Sequence, residues 1–223
     1  MTERTATLIG ATGLIGGELL KLLLDDNYFS TVKILIRRPV DWNHPKLKKE
    51  LVDFNDNDSL LLAIDNSDVI FCTVGTTQKK VKGDKQAYRK VDHDIPVKTA
   101  RFCLITGCKI FVLVSSIGAN SKSNNFYIKL KGEVEDEVKE IGIDAVHIMR
   151  PSMLLGDRNE SRPMEKFWQA TMKALAFLIP ARFKAIEASK VAKAMLVASK
   201  QNAHGFFTYD YKKINWLADQ SQF

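Results

Sequence analysis

The run Gly10-Ala11-Thr12-Gly13-Leu14-Ile15-Gly16 follows a compact apolar stretch, Thr5–Ile9, and opens a leucine-rich one, Leu14–Asp25. A GxxGxxG spacing at a strand-to-helix junction constrains this chain more than any other feature. The first glycine allows a tight turn. The second lets backbone come close to a pyrophosphate, and the third lets the helix pack tightly on the sheet. The helix opening then presents N–H groups and a partial positive charge to phosphates. Glycine spacing alone is weak evidence, but its place at this junction makes the signal specific.

The rest of the chain continues the alternation of short β runs with helical runs, which is the pattern of an α/β parallel sheet. Further strands are expected at Val32–Ile36, Leu51–Phe54, Val69–Val74, Ile110–Val114, Ala145–Met149 and Phe206–Tyr209. Helices are expected after Asn55 or Asp56, from Asp84 to Thr106 with Pro96 as a kink or break, and from Asn124 or Asn125 through Glu140, ended by Gly142. Two more are expected near Met164–Leu178 and Ser189–Lys200. Right-handed crossovers between parallel strands give a doubly wound sheet with its ligand crevice at the carboxyl ends of the strands. Residues 1–223 read as one domain, with a cofactor-binding core to about residue 150 and a small substrate lobe over about 151–223.

Composition narrows the function classes. Hydrophobic residues make up 45% of the chain, enough for a core without disulfide or metal staples. Cys72, Cys103 and Cys108 are odd in number and form no CxxC pair, which suits a reducing compartment. His44, His93, His147 and His204 lack metal-ligand spacing, so no metal is expected. No basic-then-apolar leader and no bilayer-length apolar run is present, and the expectation is a cytoplasmic protein without membrane contact. The net charge of +7 suits an anionic ligand or a solubilising surface. Lys79, Lys80, Lys82, Lys85, Arg89 and Lys90 form a basic stretch with only Tyr88 as an aromatic, read as a solvated face rather than a nucleic-acid site.

Cofactor selectivity falls at the end of the second strand. A site for NAD commonly carries an acidic side chain there, whereas this chain has Arg37 and Arg38. A guanidinium can pair with a 2′-phosphate and stack on adenine, so NADPH is favoured over NADH. Asp53 and Phe54 are expected at the adenine edge. The small residues from Cys72 to Thr77, including Thr73, Val74, Gly75 and Thr76, would let backbone pass beside the cofactor. With them go the turn residues Gly10, Thr12, Gly13, Leu14, Ile15 and Gly16.

Tyr127 and Lys131 have YxxxK spacing, which puts both on one helix face. A nearby ammonium stabilises phenolate and lowers a tyrosine pKa from its usual value of about 10, making a proton donor for carbonyl–alcohol chemistry. Ser115 and Ser116, at the end of the fifth strand, could bind the substrate oxygen. Tyr209 and Lys213 share the spacing but leave an edge strand for a turn, with no helix to align them.

These stretches resemble the atypical short-chain dehydrogenase/reductases, and among them the Tat-interacting-protein oxidoreductase family. The matching segments are GATGLIGGELL, LIRRP, CTVGTTQKK, VLVSSIGA, YIKLKGEVE and MRPSMLLGDRNESRP, which touch most of residues 5–165. The resemblance implies an NADPH-binding Rossmann fold. It implies Ser116, Tyr127 and Lys131 as catalysts, with Ser115 a near-equal choice for the serine, and Pro151, Ser152 and Met153 bordering the nicotinamide. The expected function is an NADPH-dependent oxidoreductase of a small carbonyl or alcohol. The alternatives are an NADPH-binding regulatory protein without turnover and a nucleoside-diphosphate-sugar epimerase or dehydratase. Only about seventy residues follow the sixth strand, small for a lobe that grips a nucleotide sugar.

Gly156–Pro163 suits a lid or a plain surface loop. Trp168 could line a pocket, pack in the core or make a homodimer contact. The mixed charges of Lys131–Glu140 read as solvated helix surface.

Overall fold

The computed structural model describes residues 3–155 and 184–220. Its first half runs β1 (Thr5–Ile9), α1 (Leu14–Asp25), β2 (Thr31–Ile36), β3 (Leu47–Leu51), α2 (Asn57–Ile64) and β4 (Val69–Cys72). Next come α3 (Lys85–Arg89), a π-helical segment (Lys90–Asp94), α4 (Ile95–Ile105), β5 (Ile110–Val114), α5 (Phe126–Ile141) and β6 (Ala145–Met149). The last elements are β7 (Leu154–Leu155), β8 (Ile186–Glu187), α6 (Ala188–Ser199), β9 (Gly205–Tyr209) and α7 (Tyr211–Asp219).

Seven strands form one parallel sheet in the order β3-β2-β1-β4-β5-β6-β9, while β7 and β8 pair separately. This is the Rossmann-type doubly wound architecture expected from the sequence. The central strands are apolar on both faces because helices cover both. Ala6, Leu8, Val32, Ile34 and Phe71 pack with Leu19 and Leu23 of α1 and Val191 and Met195 of α6. Ile9, Leu35, Ile70, Phe111 and Leu113 pack with Leu60 of α2, Ala100 and Cys103 of α4 and Val134 and Val138 of α5. Between β1 and β4 the strand order reverses, so the crevice opens where β1 and β4 end.

Several local expectations need correction. The third strand lies at Leu47–Leu51, not at Leu51–Phe54. It is an edge strand with Lys48 and Lys49 exposed, so an apolar run could not reveal it. Asp53 instead belongs to a turn, its Oδ1 accepting from the Asn55 N–H at 2.9 Å, and Asp56 caps α2 by accepting from the Asp58 N–H at 3.0 Å. Between Asp84 and Thr106 the helix neither breaks nor kinks alone. It passes through the π-helical Lys90–Asp94, and Pro96, which has no N–H to give, falls just beyond that shift of the hydrogen-bond ladder. Asn125 caps α5 and Gly142 ends it in the left-handed conformation. Lys213 sits on α7 rather than in a turn, while Tyr209 closes β9.

The described C-terminal residues join the main fold, with α6 packed on α1 and β9 extending the sheet beyond β6. The loop at Gly156–Pro163, the helix near Met164–Leu178 and Trp168 lie outside the described residues.

Candidate active site

The glycine turn is built by close approach. Gly10 has φ +91°, and a Cβ there would stand 2.7 Å from Thr73 Oγ1. A Cβ on Gly16 would stand 2.1 Å from the Gly10 carbonyl oxygen. Only glycine fits at either place. Thr73 braces the turn, its Oγ1 donating to the carbonyls of Ile9 (3.0 Å) and Gly10 (3.2 Å). Gly13 is the N-cap of α1 and no side chain caps that end, which leaves first-turn amides open. Thr12, Gly13, Leu14 and Ile15 line a cleft of about 550 Å³. This cradle fits a pyrophosphate: the backbone is bare and the donors are free of side-chain competitors.

The facing wall of the cleft carries Thr73, Val74, Gly75 and Thr76 from the end of β4, Ser115 and Ser116 from the end of β5, Tyr127 and Lys131 from α5, and Pro151 and Ser152 after β6. Leu154, and not the half-exposed Met153, completes the edge beyond Ser152.

Asp92 also lines this cleft, a residue that sequence reasoning misses. Its carboxylate is buried, with Oδ1 3.0 Å from Lys131 Nζ and Oδ2 accepting from the Thr76 N–H at 2.7 Å. Tyr88, one turn earlier, donates its hydroxyl to the Thr76 carbonyl at 3.3 Å and meets the Tyr127 ring edge-on at 6.4 Å. Burial opposes the Lys131 ammonium, but the charges of Asp92 and Tyr127 outweigh it, so its pKa stands above the ordinary lysine value. Burial, with Asp92 and Tyr127 adding to it, pushes the Tyr88 phenol well above its usual range.

The two serines differ in commitment. Ser115 is buried and donates its hydroxyl to Glu135 Oε1. Glu135 also receives Arg150 Nε at 3.1 and 3.0 Å. Among the described residues Ser116 makes only a long 3.4 Å contact, with the Ile117 carbonyl, which leaves its hydroxyl available to a ligand in the cleft. The solvated reading of Lys131–Glu140 is therefore wrong for one face: Lys131, Val134, Glu135 and Val138 are buried. Glu135 lies four residues beyond Lys131, so the register that aligns Tyr127 with Lys131 already points to it. Asp92 has a fainter signal, four residues after the buried Tyr88, and nothing in the sequence announces the π-helical segment.

A second hollow, of about 830 Å³, lies beyond the ends of β2 and β3. Arg37, Asp53 and Phe54 line it together, and so do Lys90 and Lys98. Arg38 is exposed and is not among the lining residues.

The sequence profile of the family described as NAD(P)H-binding matches residues 10–199. This chain belongs to that NAD(P)H-binding family. Protein HTATIP2 of Rattus norvegicus is 39% identical over 168 residues, covering 74% of this chain and 69% of the relative. Protein FMP52, mitochondrial, of Candida albicans is 31% identical over 204 residues, covering 89% of each. The resemblance to an atypical short-chain dehydrogenase/reductase of the Tat-interacting-protein group is thereby borne out. Solved structures with the same fold include MoeE5 in complex with UDP-glucose and NAD (TM-score 0.70, 14% identity, 98% of this chain and 82% of that one). Another is WbmH of Bordetella bronchiseptica in complex with NAD+ (TM-score 0.72, 18% identity, 98% and 80%). The bare glycine turn and the cleft above it could hold such a cofactor.

Proposed function

We propose that this chain is an NADPH-dependent oxidoreductase that reduces a small carbonyl compound. One observation carries the reading: Tyr127, Lys131 and the free Ser116 line the same cleft as the uncapped start of α1. When bound, NADPH would supply the hydride that adds to the carbonyl carbon. Ser116 holds the carbonyl oxygen by donating its hydroxyl. Tyr127 passes its phenolic proton to that oxygen as the alcohol forms. Lys131 places a fixed positive charge beside Tyr127 and would hold the cofactor on that side of the cleft. Arg37 binds the 2′-phosphate, with Lys90 and Lys98 raising the positive potential of the hollow.

A nucleotide-sugar reading draws on neighbours such as MoeE5, whose complex holds UDP-glucose with NAD. A compact substrate is better supported, because described residues 188–219 go into α6, β9 and α7, alongside the sheet. The three cysteines are free and buried, which favours a reducing compartment. We assign the cytoplasm, against the mitochondrial names of the fungal relatives. Among the described residues no helix is long and apolar enough to cross a membrane.

The test is NADPH oxidation against a panel of aldehydes and ketones. Tyr127→Phe is expected to lower kcat by about 10²-fold or more while NADPH affinity stays within about threefold. Equal turnover by wild type and variant sinks the reductase reading. No turnover by either, with NADPH bound tightly, leaves a regulatory cofactor-binding protein in its place.

A further inference from the structure

The cleft contains one buried carboxylate to which the proposed reaction assigns no role. We propose that Asp92 is a positioning residue whose two oxygens tie the Lys131 ammonium of α5 to the Thr76 amide of the loop after β4. One side chain thereby sets both the helix that carries Tyr127 and the loop that borders the cofactor. The inference rests on reading Tyr127 and Lys131 as the site of proton transfer.

Three observations support it. The ion pair is enclosed, with side-chain exposures of 7% for Lys131 and 2% for Asp92. Both Asp92 oxygens are used, one at 3.0 Å on Lys131 and the other at 2.7 Å on Thr76. The residue sits in the π-helical Lys90–Asp94, a departure from regular helix of the kind that concentrates at functional sites.

Among the described residues the charges around the pair leave no substitute for Asp92. Lys131 faces Tyr127 on its own helix, Asp92 on the helical run opposite and Cys72 at the end of β4, while Tyr88 acts on Asp92 and Tyr127. Burial pushes the Cys72 thiol up to about 11, so it is neutral at ordinary pH. Glu135, the next carboxylate along α5, is taken by Ser115 and Arg150. Without Asp92 the Lys131 ammonium would stand buried with no counter-charge, and it would give up its proton more readily. Asparagine at this place offers one oxygen where two donors need one, so either Lys131 or Thr76 loses its acceptor.

The test uses the full chain with NADPH added and lysine labelled with ¹⁵N at Nζ. The Lys131 signal is assigned by its loss in Lys131→Arg. In wild type this signal should still hold its charged position where an ordinary lysine titrates. In Asp92→Asn it should titrate at least about one pH unit lower than in wild type. The alkaline limb of any pH–rate profile should move the same way, because Lys131 gives up its proton earlier. A Lys131 titration identical in the two proteins overturns the proposal.

If Asp92→Asn does not fold, Asp92→Asn/Lys131→Met removes both charges together. The double variant should regain most of the lost thermal stability. A double variant as unstable as the single one overturns the proposal too. Neither the Lys131 titration nor the thermal stability needs turnover. A failed substrate panel therefore strikes at the reductase reading, whereas an unmoved Lys131 signal strikes only at the role of Asp92.

Discussion

Arg150, just past the end of β6, holds Glu135 in the middle of α5, its Nε 3.1 and 3.0 Å from the two carboxylate oxygens. Ser115 at the end of β5 donates to the same carboxylate. Three elements meet at one buried charge, directly behind the wall of the cleft. Glu135→Ala leaves a guanidinium and a hydroxyl without their acceptor. Arg150 keeps a third of its side chain in water, which softens the loss. The expected destabilisation is about 2–4 kcal/mol, read from urea unfolding. A change below about 0.5 kcal/mol would show that solvent replaces the carboxylate at no cost.

Arg37 lines the hollow beyond β2 and Arg38 does not. Arg37→Ala should therefore weaken NADPH by about 10- to 100-fold and NADH by less than about threefold, as expected for a lost charge-assisted pair. Arg38→Ala should change neither by more than about threefold. Titration calorimetry with both cofactors decides it. Equal losses for the two cofactors would remove Arg37 from the 2′-phosphate.

Gly16 cannot carry even a methyl group without meeting the Gly10 carbonyl oxygen at 2.1 Å. Gly16→Ala must push α1 away from the turn, so the open amides of its first residues lose their aim. We expect cofactor binding to weaken by at least about 10-fold and stability to fall by about 1–3 kcal/mol. Thermal unfolding with and without NADPH reports both. A variant that is stabilised by the cofactor as strongly as wild type would place the binding site elsewhere.

His147 lies wholly inside, its Nδ1 2.9 Å from the Tyr209 hydroxyl and its Nε2 without a hydrogen-bond partner among the described residues. Burial pushes its pKa down to about 4. In the unfolded chain it returns to about 6.5. Between those values the unfolded chain binds a proton that the folded one refuses, so acid favours unfolding. The contribution is constant above about pH 6.5, is lost as pH falls from there towards about 4, and amounts to about 3 kcal/mol at most. In His147→Phe this part of the acid sensitivity should disappear, seen as a flatter dependence of urea midpoint on pH. If wild type and variant lose stability in parallel from about pH 6.5 to about pH 4, His147 is not the group responsible.

Much of the fold can be read from side-chain pattern because the central strands and the helices on them obey simple rules. Thr5–Ile9, Ile110–Val114 and Ala145–Met149 are largely apolar and buried, and α5 carries its own start and stop at Asn125 and Gly142. The edge strand β3 escapes such reading because Lys48 and Lys49 face water. At the site, the glycine turn and the Tyr127–Lys131 register are legible because both depend on neighbours along the chain. That register also marks the face on which Glu135 lies, but the partners of Asp92 and of Glu135 are not legible, since each contact joins elements 15 or more residues apart. A charged residue read in isolation defaults to the surface. Only its partner reveals otherwise.

The widened turn at Lys90–Asp94 acts as a phase shifter. Each residue added to a helix rotates the remainder of that helix by about 100°. Ahead of the shift, Tyr88 faces Thr76 and Tyr127. Past it, Val97, Ala100 and Cys103 bury themselves against the sheet. One uninterrupted rod thus serves two masters that a regular spiral of the same length would satisfy only one at a time. Shortening the rod there by a single residue would force a choice between the hollow and the interior.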